Sequence, residues 1–110
     1  MVRYGTKRTP YKPTKLEKRV ESLLRALHLS YVPQYPVRSG FVIDFAVFKK
    51  GEKIAIEVDG ERWHSSKKAK KRDRFKDYML RREKWKVIRI KEREINSGQW
   101  VGKLIKALKQ

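Results

Sequence analysis

Three carboxylates stand inside or directly after two apolar runs of the sequence, where charged side chains are least expected. Asp44 lies at the centre of residues 41–48, and Glu57 lies within residues 54–58, followed at once by Asp59. A carboxylate in a buried strand is costly unless it is paired or binds a metal ion. If the two runs are neighbouring strands, these acids converge near one edge of a sheet. The pattern therefore predicts a divalent-cation site.

The segment between the two runs has the composition of a hairpin turn, Lys49-Lys50-Gly51-Glu52. We therefore predict that the runs pair with each other. Because strand side chains alternate between faces, Glu57 and Asp59 share one face with Ala55, and the branched residues of the run share the other.

A helix is predicted for residues 14–28, where leucines recur at helical spacing. Thr14 and Glu17 have the spacing of a capping box, which by itself explains Glu17. Glu17 also lies at the border of the apolar stripe, so a role facing the site stays open. Residues 31–37 carry two prolines, which predicts an edge strand or a loop.

A long basic helix is predicted for residues 67–84. Its first turns are almost entirely cationic, which opposes the helix macrodipole, so we expect an anionic partner there. The predicted apolar patch of this helix is Phe75, Tyr78 and Met79, with Leu80 beside it. A second row at i, i+4 and i+7 spacing consists of Asp73, Asp77 and Leu80.

The remaining segments complete an α/β pattern. Residues 85–91 are predicted to form a strand. Because the basic helix connects this strand to the strand that contains Glu57, the two strands are expected to pair in parallel. Asn96-Ser97 is predicted to cap a last packing helix. We predict a mixed β-sheet flanked by helices.

The composition suits one domain that binds a polyanion. The chain has 110 residues and a formal net charge of +18, which favours nucleic acid as the partner. We predict a basic, flexible N-terminal tail at residues 1–13 and a single domain at 14–110. The sequence has no cysteine and no run long enough to span a membrane. We expect a cytoplasmic, nucleoid-associated protein; the 38% charged content is typical of thermophile proteins.

The order of these residues resembles the PD-(D/E)XK nuclease superfamily and, within it, the very-short-patch-repair (Vsr) endonuclease group. The resemblance covers about residues 17–95. It is carried by Glu17, Gln34, Asp44, Glu57-Val58-Asp59-Gly60, His64, Asp73 and Val87-Ile88-Arg89-Ile90. It implies a restriction-endonuclease-like fold and Mg²⁺-dependent cleavage of a DNA phosphodiester, with Mn²⁺ expected to substitute.

The resemblance also implies roles for individual residues. Asp44, Glu57 and the Val58 carbonyl would hold the metal ion. His64 would act as general base or acid, since an unperturbed histidine pKa of ~6.5 suits proton transfer near neutrality. The implied catalytic set is Glu17, Asp44, Glu57, Asp59 and His64, with Gln34, Asp73 and Arg89 in support; Asp73 would fix the tautomer of His64. The expected nucleic-acid contacts are Arg62, Trp63, Lys67, Lys68, Lys70, Lys71 and Arg74.

The sequence departs from the superfamily at one position and leaves several alternatives open. The superfamily has a lysine two residues after the strand glutamate, where this chain has Asp59. Trp63 is interpreted equally well as a wedge inserted into DNA or as a core residue. A non-catalytic nucleic-acid-binding protein on the same fold is the alternative function. RNA as substrate, a mismatched, nicked or branched DNA target, and a homodimer all stay open.

Overall fold

The computed structural model describes residues 13–60 and 67–109. Within these residues, four strands and four helices follow one another. Their bounds are α1 Lys15–Ala26, β1 Ser30–Pro36, β2 Val42–Lys49, β3 Glu52–Asp59, α2 Lys67–Arg82, β4 Trp85–Lys91, α3 Glu92–Ser97 and α4 Gln99–Lys109. The strands form one sheet in the order β1-β2-β3-β4. β1, β2 and β3 are antiparallel neighbours, and β4 pairs parallel to β3. The predicted mixed sheet flanked by helices is confirmed.

The β2–β3 hairpin is closed by the turn that its sequence predicts. Lys49 pairs with Glu52, which leaves Lys50 and Gly51 as a two-residue loop. Both loop residues have positive φ, 49° and 81°, as a type I′ turn requires. This turn twists in the same sense as the strands, so it fixes the register that brings the acidic ends of β2 and β3 together.

The sheet buries a different apolar cluster on each face. Ile54 and Ile56 of β3 pack in the cluster that α1, α3 and α4 cover, whereas Ala55 packs with Leu80 of α2. This is the alternation that the sequence predicts for β3. It places Glu57 on the face that α2 covers, because Glu57 and Ala55 are two residues apart.

Regular alternation breaks in β2 at Asp44. Phe45 belongs to the cluster under α1 and α4, yet Ile43 belongs to the cluster under α2. In the ladder with β1, Phe45 pairs with Pro33 and Ile43 pairs with Tyr35. Gln34 lies between those two pairs, opposite Asp44, with a φ of 52°. The irregularity of both strands therefore falls at the position of the acid.

Two predictions about the helices are wrong. Phe75 and Tyr78 do not form the buried face of α2; their side chains are 56% and 54% exposed, while Leu80 is fully buried. The row with Asp73, Asp77 and Leu80 faces the sheet instead, since both aspartates reach Arg89 of β4. The predicted cap of the last helix, Asn96-Ser97, ends α3 instead; Gly98 follows with a φ of 84°. α4 begins at Gln99, whose N–H donates to Ser97 Oγ at 3.4 Å.

Within the part of the chain that the structure describes, no helix is both long and apolar enough to cross a membrane.

Candidate active site

Asp44 and Glu57 meet where the β2–β3 ladder ends. The last regular pair is Phe45 with Ile56. Beyond it, Glu57 Oε2 accepts a hydrogen bond of 2.9 Å from the Asp44 backbone N–H. Asp44 Oδ2 in turn accepts one of 2.8 Å from the Val58 backbone N–H. Each carboxylate thus binds a backbone N–H of the opposite strand, and the two acids are fixed side by side.

The pair is enclosed enough to perturb its protonation. Glu57 is only 2% exposed. Burial raises the pKa of the Asp44 carboxyl, and repulsion from Glu57 raises it further, to about 8. The Val58 N–H and Lys76 act in the opposite direction and only partly offset these effects. Two carboxylates that are buried side by side favour the uptake of a proton or of another cation.

Lys76 of α2 supplies one such cation. Its Nζ forms an ion pair with Glu57 Oε1, an oxygen that is fully enclosed and accepts no well-aligned hydrogen bond among the described residues. Nζ also donates a hydrogen bond of 2.7 Å to the Val42 carbonyl. The side chain of Lys76 is largely buried, so its position is fixed by both contacts. The ammonium group therefore lies directly against the acid pair.

Arg89 of β4 gathers the other acids of the region. Its Nη1 donates to Asp59 Oδ1 at 2.8 Å, and its Nη2 bonds Asp77. Asp73 Oδ2 lies 3.9 Å from Nη1. Burial alone would lower the pKa of the guanidinium, but Asp59 and Asp77 outweigh burial and raise that pKa. Arg89 thus fixes β4, the end of β3 and α2 to one another.

These groups line one cavity of about 410 Å³. Every strand but β1 contributes to it, as do α1, α2 and α3. The charged side chains in its wall are Glu17, Asp44, Glu57, Asp59, Asp73, Lys76, Arg89 and Glu92. The cavity is therefore dominated by carboxylates, although the protein as a whole is strongly basic.

Glu17 does both things that the sequence left open for it. Its backbone N–H donates to Thr14 Oγ1 at 3.1 Å, and its Oε1 accepts from the Thr14 N–H at 2.9 Å, which is a complete capping box. The same residue lines the cavity, and its charge contributes to the raised pKa of Asp44. The capping box thus holds a carboxylate at the mouth of the site.

The residues present fit a magnesium site, with a small protein contribution. Among residues 13–60 and 67–109, no three His, Cys, Asp or Glu side chains form a ready-made metal cluster. Mg²⁺ keeps several water ligands and is often held by one or two carboxylates. Asp44 and Glu57, whose carboxyl groups share a buried position, meet that requirement.

Two comparisons with known proteins identify the fold. The family model REase_MTES_1575, which is restriction-endonuclease-like, matches residues 16–108. The chain belongs to this family. A search of the solved structures found the "Homing Endonuclease I-Bth0305I Catalytic Domain", with a TM-score of 0.68 and 30% sequence identity. The match covers 86% of this chain and 92% of that one. A search of the curated proteins found no match. Both comparisons support nuclease function, hence a hydrolase.

The other predicted site residues of this restriction-endonuclease-like protein fall into three groups. Gln34 lies opposite Asp44 on β1 and is not among the described residues that line the cavity. Exposed on α2 are Lys67, Lys68, Lys70, Lys71 and Arg74. Arg62, Trp63 and His64 lie outside the described residues, and so do the predicted partnership of His64 with Asp73 and the N-terminal residues 1–12.

Lys76 is the member of the site that sequence reasoning missed. It lies nineteen positions after Glu57, so no local spacing connects the two. A signal was present within α2, however. Asp73, Lys76, Asp77 and Leu80 have i, i+3, i+4 and i+7 spacing, which is one complete helical face. A face with both charge signs and a buried leucine at its end indicates a row that turns toward charged partners in the sheet.

We expect the stability of the metal-free protein to fall as pH rises between about 4 and 8. An unfolded aspartate has a pKa of ~3.9, whereas the folded Asp44 has a pKa of about 8. Between these values the folded state binds more protons than the unfolded state, so each step up in pH costs stability. Denaturant unfolding in EDTA at pH 5 to 8.5 measures this slope.

Asp44→Asn removes the titrating group and is the reference for this measurement. Its unfolding free energy should depend less steeply on pH than that of the wild type over the same interval. Parallel curves for the two proteins would contradict the raised pKa of Asp44. Added Mg²⁺ should stabilise the wild type most at the high-pH end, where the acid pair has lost its proton.

Proposed function

We propose that this protein is a metal-dependent DNA endonuclease that hydrolyses phosphodiester bonds. The observation that carries the proposal is the buried Asp44–Glu57 pair with Lys76 against it. It lies in an acid-lined cavity beside the cationic surface of α2. A protein that only bound nucleic acid would gain nothing from buried carboxylates, which repel phosphate. The family match and the homing endonuclease neighbour support the same function.

Asp44, Glu57 and the Val58 carbonyl would hold Mg²⁺, with Mn²⁺ as a substitute. When bound, the ion supplies a Lewis acid that neutralises charge at the phosphoryl group. The buried geometry of the two acids contributes rigidity, because each carboxylate is already fixed by a backbone N–H. Little reorganisation is then needed when the cation enters.

The surrounding residues have positioning roles in this proposal. Lys76 holds Glu57 in place and presents a positive charge where a phosphate would approach. Arg89 forms ion pairs with Asp59 and Asp77. Asp59, which stands where the superfamily has a lysine, therefore serves to fix the end of β3. Glu17 at the cavity mouth would orient water or substrate. His64 would transfer a proton, with Asp73 in support.

Binding would use the cationic surface of α2. Each phosphate that a lysine or arginine neutralises releases counterions, so this term supplies affinity without sequence preference. The contacts proposed on described residues are Lys67, Lys68, Lys70, Lys71 and Arg74, all of them exposed. Arg62 and Trp63 lie in the chain between Glu57 and the first lysine of α2. In this proposal Arg62 adds a further cation, and Trp63 inserts into the DNA as an aromatic wedge.

The finer assignment that we propose is to the Vsr-like group, which implies action on duplex DNA in repair, restriction or recombination. The chain shares with that group the ordered set of Glu17, Asp44, His64 and Asp73 and the lack of a lysine at position 59. A mismatched, nicked or branched duplex is the substrate class to test first.

The proposal is tested by incubating the purified protein with plasmid and with mismatched, nicked and branched oligonucleotides. Parallel reactions contain Mg²⁺, Mn²⁺, Ca²⁺ or EDTA. We expect cleavage with Mg²⁺ and Mn²⁺, and binding without cleavage in EDTA. Binding in every buffer with no cleavage of any substrate would favour the non-catalytic nucleic-acid-binding alternative. An RNA strand of the same sequence, if it were cut in preference to DNA, would correct the substrate.

A further inference from the structure

The outward side of α2 carries charge of a single sign. The helix contains nine lysines and arginines and two acids, Asp73 and Asp77. Both acids turn inward to Arg89, and Lys76 turns inward to Glu57. The eight other cations of the helix are all exposed. Their field therefore acts outward with little neutralisation from within the helix, and it attracts a polyanion.

Two aromatic rings lie among these cations. Phe75 and Tyr78, which the sequence pattern assigns to the apolar patch of the helix, are more than half exposed. The guanidinium of Arg82 lies 5.7 Å from the centre of the Tyr78 ring and donates to its hydroxyl at 3.1 Å. A single-stranded nucleic acid is bound by this combination of cations for the backbone and an aromatic face for a base.

Tyr78 belongs to a groove of about 500 Å³, whose wall is formed by Arg74, Asp77, Tyr78, Arg81 and Arg82. We refer to it as the Tyr78 groove. All of its lining residues come from α2, and four of the five are cationic or aromatic.

The Tyr78 groove adjoins the acid cavity. Asp77 lines the groove and is bonded to Arg89, which lines the cavity. Along α2, the residues of the two sites alternate: Asp73 and Lys76 line the cavity, whereas Arg74 and Asp77 line the groove. The two sites therefore lie on adjacent faces of the same helical turns.

We propose that the Tyr78 groove binds an unpaired nucleotide next to the bond that is cut. Tyr78 stacks on the base, and Arg74 and Arg81 contact the flanking phosphates. The inference rests on the proposed function, since the strand in the groove is the one that enters the acid cavity. The inference therefore predicts that the protein prefers DNA with an unpaired or displaced base near the cleavage site.

The test is fluorescence anisotropy in EDTA with two labelled DNAs of the same sequence, one fully paired and one with a short unpaired loop. Tyr78→Ala should weaken binding to the looped DNA roughly 5- to 100-fold, the range found for one stacked base, and change binding to the paired DNA less than twofold. Tyr78→Trp should bind the looped DNA at least as tightly as the wild type. Because tryptophan adds stacking area, this variant gives a result even if the alanine variant does not fold.

Charge-matched controls are available on α4, which packs against the opposite face of the sheet. Lys106→Ala and Lys109→Ala each remove one exposed cation, as Arg81→Ala does. Arg81→Ala should weaken binding to the looped DNA more than either control. The proposal is overturned if Tyr78→Ala affects both DNAs equally or affects neither. It is also overturned if sedimentation shows that Tyr78→Ala converts a dimer into monomers, since the groove would then bind a second copy.

The outcome separates this inference from the proposed function. If the wild type cuts DNA with Mg²⁺ but Tyr78→Ala binds both DNAs as the wild type does, only the inference is wrong. If the wild type cuts no substrate but prefers the looped DNA through Tyr78, the groove stands and the endonuclease proposal falls.

Discussion

Asp44→Asn should reduce DNA cleavage at least ~10³-fold while DNA binding is kept or becomes tighter. The substitution removes one of two carboxylates that are proposed to hold the metal ion, and a lost Lewis acid costs several kcal/mol of transition-state stabilisation. It also removes a negative charge that repels phosphate. The measurements are the single-turnover cleavage rate with Mg²⁺ and the calorimetric affinity for Mg²⁺ without DNA.

The fold should tolerate this substitution. The asparagine side chain keeps an oxygen that can accept the 2.8 Å hydrogen bond from the Val58 N–H. It also relieves the burial of a second charge beside Glu57, so stability at pH 8 should not fall. A matched control is Glu52→Gln at the opposite end of β3, which likewise replaces an acid by its amide in an exposed position. Cleavage by Asp44→Asn at a rate near that of Glu52→Gln would rule out Asp44 as a metal ligand.

The sheet was predictable because its determinants are local. The Lys50-Gly51 turn sets the hairpin register, and alternation over residues 54–58 sets the two faces of β3. The Thr14–Glu17 capping box likewise depends on residues three apart. These signals need no knowledge of distant partners, so a single sequence contains them.

The orientation of α2 was not predictable in the same way. Apolar periodicity favours burial of Phe75 and Tyr78, because a helix normally turns its largest hydrophobic side chains inward. The helix instead turns Asp77 and Lys76 inward, since Glu57 is buried and Arg89 is partly buried on the facing strands, and both require partners of opposite charge. Breaking a buried charge pair costs about 3–5 kcal/mol of stability. Burying one exposed aromatic side chain would stabilise the protein by less, about 1.5–3 kcal/mol. Long-range charge pairing thus outweighs the local pattern.

The acid pair could be predicted from the apolar runs, whereas the only signal for its cation was the mixed-charge face of α2, which does not name Glu57 as the partner. Asp44 and Glu57 were visible as charges within apolar runs. The superfamily pattern directs attention to position 59, where an aspartate is bonded to Arg89. The lysine that contacts Glu57 comes from α2, the helix that connects the parallel strands β3 and β4. Only the packing of the helix on the sheet brings it there.

Lys76→Met should lower the single-turnover cleavage rate roughly 10²- to 10³-fold, the cost typical of removing one preorganised donor at a site of developing charge. Methionine keeps the length and much of the apolar volume of the lysine stem but removes the ammonium. The variant loses the ion pair to Glu57 and the 2.7 Å hydrogen bond to the Val42 carbonyl. Lys76→Arg should retain part of the rate, because it keeps the charge in a different geometry.

A rate loss alone would not distinguish a role at the reacting phosphate from a role in holding Glu57. A double-mutant cycle on stability measures the second role directly. In EDTA at pH 8, Lys76→Met should destabilise the protein by about 3 kcal/mol, since it leaves a buried carboxylate without its cation. The added cost should be much smaller in the Glu57→Gln background, where no charge needs compensation.

Lys86→Met is the matched control for both measurements. Lys86 is a partly buried lysine on β4, and its Nζ donates to the Ala107 carbonyl of α4 at 2.7 Å. α4 contributes no residue to the lining of the acid cavity. Its loss removes one lysine and one hydrogen bond to a carbonyl, as Lys76→Met does, but no contact with the acid pair. If Lys76 only compensates the charge of Glu57, cleavage by Lys76→Met measured under conditions where it is fully folded should match that of Lys86→Met. A rate ten or more times lower than that of Lys86→Met would show that the Lys76 ammonium acts within the site. An unchanged calorimetric affinity for Mg²⁺ would then assign that loss to the phosphate, because a displaced Glu57 would bind the ion less tightly. The chain would then provide from α2 the positive charge that its sequence lacks at position 59.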